Sequence, residues 1–313
     1  MQKDEFERIA NLFFHFFETS IPSYRDLDAR LRGKRRLVSL DDIFKTPILD
    51  SSEYIDDELR LGVASIKVQK ETGRTESVGV FDKETEQRYF TFLAEHFPGE
   101  LVVSEETEHT WPPSGDFWII DPCDGTHNML SGDPTFGTMV ARIQNGVVTF
   151  CAIFLPAHAS MKSGCFIAGR GHGAWEWSPN GNRRITVSQN DSLEKSILCF
   201  EGPSGCVYSS PLFLYLVNRI EFSNKLSASC WAGVLTASGG NHPRGCDAIV
   251  TFRGRPWDNL PITLLVEEGG GKSTDHDGNP VTLENHSDLL MSNGYIHDPI
   301  LAAICAHKAG LEK

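Results

Sequence analysis

The run Asp121-Pro122-Cys123-Asp124-Gly125-Thr126 follows the apolar stretch Phe117-Trp118-Ile119-Ile120, which places two carboxylates where a buried strand runs out. Two acids three residues apart at such a corner can converge on one hard cation, while Pro122 stiffens the turn and Gly125 lets the backbone approach a ligand closely. Thr126 adds a hydroxyl and an amide. An Asp-Gly turn that caps the next element would use the same residues. What decides between the two is whether other acids stand where they can join this pair.

Three further segments supply them. Leu101-Val102-Val103 reads as a short buried strand and is followed at once by Ser104-Glu105-Glu106. Trp257-Asp258 precedes an apolar-periodic segment from Asn259 to Glu268 that stops at Gly269-Gly270-Gly271 as a helix would. Asp258 is expected there as a helix N-cap, a role compatible with holding a metal. Asp82 and Glu86 open the segment Lys83 to Phe97, whose Tyr89, Phe92, Leu93 and Phe97 recur at helical spacing, and on spacing alone they are helix-start acids. A site built of carboxylates, with no clustered His or Cys, favours Mg²⁺ or Mn²⁺ over zinc. Such a crowd of acids would repel any anionic substrate unless cations stood between protein and substrate.

The chain resembles the inositol monophosphatase superfamily of metal-dependent, lithium-sensitive phosphomonoesterases. Three blocks in order carry the likeness: VVSEE at 102 to 106, DPCDGTHN at 121 to 128, and GCDAIVTFRGRPWDNLPITLLVEEGGG at 245 to 271. The resemblance runs from Val78 to Gly294. It implies that Glu105, Asp121 and Asp124 are direct metal ligands, joined by the carbonyl of Cys123, and that Asp258 holds a second ion. By the same likeness the Gly125 and Thr126 amides receive phosphate, and Asp82 with the Thr126 hydroxyl orients the attacking water. Asp82 would also hold a weaker third ion, with Glu106 supporting the ligands from behind. The implied cofactor is Mg²⁺, two or three ions per site, with Mn²⁺ able to substitute. The implied chemistry is hydrolysis of a small phosphomonoester by metal-activated water, with inhibition by Li⁺ and no phosphoenzyme.

Departures from the family pattern fall where substrate is chosen. His127-Asn128 resembles the monophosphatase branch more than the Lys-Glu-Phe ending of many bisphosphate nucleotidases, and Met129 stands where many members have Phe. Members that cleave inositol phosphate place an acid six residues before the tryptophan, and Thr251 occupies that position here. Arg253 and Arg255 lie close enough in sequence to Asp258 to contact a second anionic group, or to be solvated loop residues. Thr251 weighs against inositol phosphate itself, and the resemblance implies the wider class of polyol, sugar or amino-alcohol phosphates, with inositol and histidinol phosphate as its examples. One alternative is a doubly anionic substrate such as fructose bisphosphate or a nucleotide 3'-phosphate. Another is a metal- and phosphate-binding sensor without turnover.

The elements that must position these groups are legible in outline. Residues 1 to 18 predict a helix with Phe6, Ile9, Ala10, Phe13, Phe14 and Phe17 along one face, to be buried in the core or against a second subunit. A polar extension follows, containing Arg30, Arg32, Lys34, Arg35 and Arg36. Short strands are expected at Gly137 to Arg142, Val147 to Leu155, Gly164 to Ala168, Ala174 to Trp177 and Ile185 to Val187, separated by turn residues in an antiparallel meander. Further strands are expected near Ile197 to Phe200 and Asp247 to Phe252, with helices around Leu212 to Ile220 and Trp231 to Ala237 and a last helix capped by Asp298. Strands and helices interleave without strict βαβ alternation, which predicts a layered α+β fold. The resemblance makes this a five-layer αβαβα sandwich. Its expected divisions are an N-terminal helix and extension (1–60), a metal-binding subdomain (61–185) and a subdomain that completes the site (186–313).

With 29 Lys and Arg against 42 Asp and Glu, the formal net charge of -13 argues against binding a nucleic-acid polymer. Eight cysteines without a CxxC spacing suit reduced thiols in the cytoplasm. With no apolar run long enough to span a bilayer and acids in the first turn, neither a signal peptide nor a membrane anchor is expected. The resemblance adds a homodimer as the expected assembly.

Overall fold

The computed structural model describes residues 1–21, 66–69, 75–78, 80–107, 110–131, 133–158, 163–242 and 245–309. The basic stretch from Arg30 to Arg36 and the other residues of the polar extension from 22 to 60 lie outside the described residues.

The chain opens on helix α1 (Lys3–Ser20), an antiparallel ribbon of β1 (Ile66–Gln69) and β2 (Thr75–Val78), and helix α2 (Val80–His96). A seven-stranded sheet follows. Its strands are β3 (Leu101–Ser104), β4 (Phe117–Asp124), β5 (Gly137–Gln144), β6 (Val147–Leu155), β7 (Gly164–Gly169), β8 (Gly173–Trp177) and β9 (Arg183–Arg184), arranged in sequence order. Only the β3–β4 pair is parallel, and the rest form the expected meander. The short helix α3 (Thr126–Ser131) leaves the end of β4.

The second half builds a five-stranded sheet from β10 (Ile197–Glu201), β11 (Phe222–Asn224), β12 (Ala248–Thr251), β13 (Lys272–Asp275) and β14 (Leu289–Ser292), in the order β11-β10-β12-β14-β13. β11, β10 and β12 run parallel, while β14 and β13 are antiparallel additions at the other edge. Five helices accompany it: α4 (Ser204–Tyr208), α5 (Pro211–Val217), α6 (Ser229–Ala237), α7 (Pro256–Glu268) and α8 (His297–Lys308).

Three apolar cores define five layers. On the outer face of the large sheet, Trp118, Ile120, Val140, Phe150 and Phe154 pack against α1 and α2. Its inner face, through Phe117, Ile119, Met139 and Ile153, meets α6 and α7, which also cover Cys199, Ile249 and Met291 of the small sheet. The far face of the small sheet packs Leu198, Phe200, Val250 and Leu290 against α4, α5 and α8. Because α6 and α7 lie between two sheets, they are apolar nearly all round, as a doubly covered helix must be. The architecture is an αβαβα sandwich.

Several local expectations are corrected. The buried stripe of α1 holds Phe16, while Phe14 is only half-buried and lies 6.4 Å from Trp177. The stripe faces the chain's own core. Ile185 to Val187 do not form a ladder strand: Ile185 donates to Ala174 O, but the Val187 amide turns to Gly269 O at the end of α7. Asp298 is not the cap of the last helix. Ile296 takes that position, because the following His297 is buried between Thr274 Oγ1 (3.0 Å) and Ser292 Oγ (2.9 Å), and Asp298 pairs instead with Lys272 Nζ at 2.7 Å.

Candidate active site

The end of β4 is where the large sheet breaks its regular pairing. The register against β5 shifts between Asp121 and Asp124, so the strand bulges there and re-aims its carboxylates. Asp121 is 1% exposed, and its Oδ1 accepts the Cys123 amide at 2.9 Å. Its backbone is braced from behind: Thr138 Oγ1 donates to Asp121 O at 2.9 Å, and Tyr89 OH lies 2.9 Å from Thr138 Oγ1. Asp124 Oδ2 accepts Ser229 Oγ (3.2 Å) and the Cys230 amide (2.5 Å), so the start of α6 fixes its rotamer. Gly125 follows with φ 83°, where a Cβ would lie 2.9 Å from Thr135 O. Only glycine fits this corner without strain.

Asp258 comes from the opposite side, on the first turn of α7. It is not the N-cap: Arg255 holds that place, and the Asp258 carboxylate reaches back to the Arg255 amide at 3.1 Å. The reciprocal geometry is that of an acid at N3, which satisfies a helix-start donor and leaves the other oxygen available. Carboxylate oxygens of Asp121, Asp124 and Asp258 all lie within 4.8 Å of one another. Glu105, just past β3, lines the same cavity, and its charge helps to raise the pKa of Asp121 and of Asp258.

Burial is the largest influence on all three aspartates and pushes each pKa up. For Asp121 the charges of Glu105, Asp124 and Asp258 add to it; for Asp258 those of Glu105 and Asp124 do. The Cys230 and Ser229 hydrogen bonds partly offset burial at Asp124. Above the ordinary carboxylate range the folded apoprotein thus retains protons that the unfolded chain has already released, so its stability falls as pH rises through and beyond that range. All-oxygen, mutually repelling donors at this spacing fit a hard divalent cation. A cation competes with those protons, so Mg²⁺ should raise the melting temperature more at about pH 8 than at about pH 5.5. Equal shifts by differential scanning fluorimetry at the two pH values would contradict the grouping.

The remaining expected residues fall around a cavity of about 1770 Å³ that the three aspartates line. Asp82 is buried on α2, and Thr126 Oγ1 lies 3.0 Å from Asp82 Oδ1 and 2.7 Å from Cys123 O. The Cys123 thiol points to Met129 Sδ at 3.7 Å, and burial pushes its pKa up, while its carbonyl accepts the Thr126 hydroxyl. Glu106 and His127 line the cavity, His127 exposed, and Glu86 Oε1 accepts Thr107 Oγ1 at 2.9 Å. Arg253 is exposed at its rim with φ 55°, its amide donating to Asp288 Oδ1 at 3.0 Å. Thr251 is 1% exposed. Its hydroxyl is engaged inside the protein by the Leu289 amide (2.9 Å), Asn259 Nδ2 (3.3 Å) and Ser287 O (3.2 Å), which leaves it little to offer a substrate.

Sequence reasoning missed Glu201, Lys225, Ser229 and Asn259. Asn259 latches α7 to the His286 carbonyl at 2.7 Å. Glu201 is the acid at the end of β10, buried and lining the cavity, and the signal that pointed to Glu105 applies to it equally. Burial raises its pKa to about 7 against the opposing effect of Lys225.

A model of the inositol monophosphatase family matches residues 46–309. Among curated relatives, a fructose-1,6-bisphosphatase/inositol-1-monophosphatase of Thermotoga maritima is 30% identical over 76% of this chain and 86% of its own. A histidinol-phosphatase of Mycobacterium tuberculosis is 27% identical over 79% of this chain and 92% of its own. Among solved structures, an IMPase of Thermotoga maritima superposes with a TM-score of 0.67 at 27% identity, covering 79% of this chain and 91% of that one.

Proposed function

The chain belongs to the inositol monophosphatase family and is a phosphomonoester phosphatase, and we propose that it acts with Mg²⁺ on a small polyol, sugar or amino-alcohol phosphate. The observation that carries this reading is the convergence of Asp121, Asp124 and Asp258 within 4.8 Å at one end of a cavity large enough for such an ester. These three, with Glu105 and the Cys123 carbonyl, would hold two or three Mg²⁺ ions, or Mn²⁺ in their place. When bound, the metal supplies positive charge against the phosphate and lowers the pKa of water.

The protein's own groups divide the remaining work. Asp82 and Thr126, with their oxygens 3.0 Å apart, form a relay that orients a water for attack and accepts its proton. The Gly125 and Thr126 amides, at the corner where β4 ends, donate to phosphate oxygens. Asn128 holds this corner to the opposite wall, its Nδ2 donating to Thr135 O (2.7 Å) and Leu226 O (2.8 Å), which keeps the reacting groups in register.

A second reading rests on Arg253. Its strained backbone holds a guanidinium at the cavity rim, where it can meet a second anionic group. Phosphate release from inositol, histidinol, sugar, fructose bisphosphate and nucleotide 3'-phosphates, with Mg²⁺, with chelator and with Li⁺, tests both. Metal-dependent turnover of a monophosphate is expected. Preference for a bisphosphate that disappears in Arg253→Ala would establish the second reading instead, and metal-independent turnover would refute both.

A further inference from the structure

Glu201 and Lys225 face one another on the cavity wall formed by the small sheet and the loop into α6, and nothing assigned above uses them. Their side chains are 5% and 7% exposed, yet the Lys225 Nζ to Glu201 Oε2 distance is 3.9 Å, too long for a hydrogen bond. Two buried charges are costly unless their hydrogen-bonding capacity is met. Glu201 accepts the Leu226 amide at 2.8 Å, which takes up one of a carboxylate's roughly four acceptor sites. Lys225 donates to Ser227 Oγ at 3.1 Å, one of its three N–H groups. Both heads therefore have capacity in hand. Their separation is what one hydroxyl oxygen spans with two hydrogen bonds of about 2.8 Å meeting near a right angle.

The pair is tied to the chemistry through one short segment. Leu226 donates its amide to Glu201, and Cys230, four residues on, donates its amide to Asp124. That length of chain spans at most about 14 Å. Across the β10–β12 ladder the partner of Glu201 is Thr251, whose hydroxyl is already engaged, so of these two strand ends only Glu201 can address a substrate.

We propose that Glu201 and Lys225 seat a hydroxyl of the substrate's alcohol portion, which donates to the carboxylate and accepts from the ammonium, so that the pair selects polyol and sugar phosphates over esters without a second hydroxyl. The proposal deepens the phosphomonoesterase reading and rests on it.

The test compares kcat/KM for p-nitrophenyl phosphate with that for the polyol or sugar phosphate turned over fastest, using wild type, Glu201→Gln and Lys225→Met with Mg²⁺. Each variant should lose about 10- to 100-fold on the hydroxylated substrate, the range of a lost charged hydrogen bond, and less than about threefold on p-nitrophenyl phosphate. Equal losses on both substrates would mark the pair as structural and overturn the proposal, as would no loss on either. Monodeoxy analogues of the same sugar phosphate, tested on wild type, read the same seat without any substitution, so a variant that fails to fold does not block the test. One analogue should lose a similar factor; a complete series turned over within about threefold of the parent would overturn the proposal. Absence of all wild-type turnover would overturn the phosphomonoesterase reading and this inference with it, whereas wild-type turnover with unchanged discrimination overturns the inference alone.

Discussion

Asp124→Asn should lower Mg²⁺-dependent phosphate release by at least ~10²-fold while leaving the protein folded. The substitution keeps the shape and one acceptor for the Ser229 and Cys230 donors, but removes a charge that a divalent cation needs. In apoprotein that charge is a burden, since burial raises the Asp124 pKa. A neutral side chain there relieves it, so the metal-free variant should melt no lower than wild type. Circular dichroism melts and a phosphate-release assay separate the two effects. Retained activity would remove Asp124 from the site; lost activity with a lost melt would make its role structural.

The second large effect is expected far from the cavity. Phe13→Ala should cost about 3 to 5 kcal/mol of folding stability, read from the denaturation midpoint. Phe13 is fully buried on α1, with ring centroids at 5.0 Å from Phe92, 5.3 Å from Trp118 and 5.4 Å from Phe150. Truncation leaves a void walled by aromatic rings that are held from several sides and cannot collapse into it. Activity per folded molecule should persist, because α1 covers the outer face of the large sheet and the cavity opens on other elements. A loss under about 1 kcal/mol would show that α1 is not part of the cooperative core.

How much could be read beforehand follows from which signals are local. Asp121 and Asp124 are legible because further acids at Glu105 and Asp258 stand where other elements begin or end, which an ordinary Asp-Gly turn does not require, and the structure brings them together with Asp258. The meander strands were legible from alternation and turn residues. Position within a helix start was not. Asp258 and Asp298 both read as caps, yet each lies inside the first turn: Pro256 at the start of α7 makes Arg255 the cap, and His297, held by Thr274 and Ser292, starts α8 one residue before Asp298. The engagement of Thr251 by Asn259 and Leu289, and the facing of Glu201 by Lys225, arise only when strands far apart in the chain are laid side by side. Phe16 and Phe14 exchanged places because a 3.6-residue period leaves the edge of an apolar stripe ambiguous, and packing against Phe92 at 4.5 Å draws Phe16 inward.

The carboxylate cluster draws two of its members from the large sheet and the third from a helix more than a hundred residues later in the chain. Closing a loop of that length is entropically demanding, and the contacts that reward it form only after the second sheet and its helices are in place. A nascent chain that has emerged as far as Thr126 therefore displays the motif without the cage. The three carboxylates converge only in the finished molecule, so a cation held by all three would report that both sheets and the helices between them are assembled.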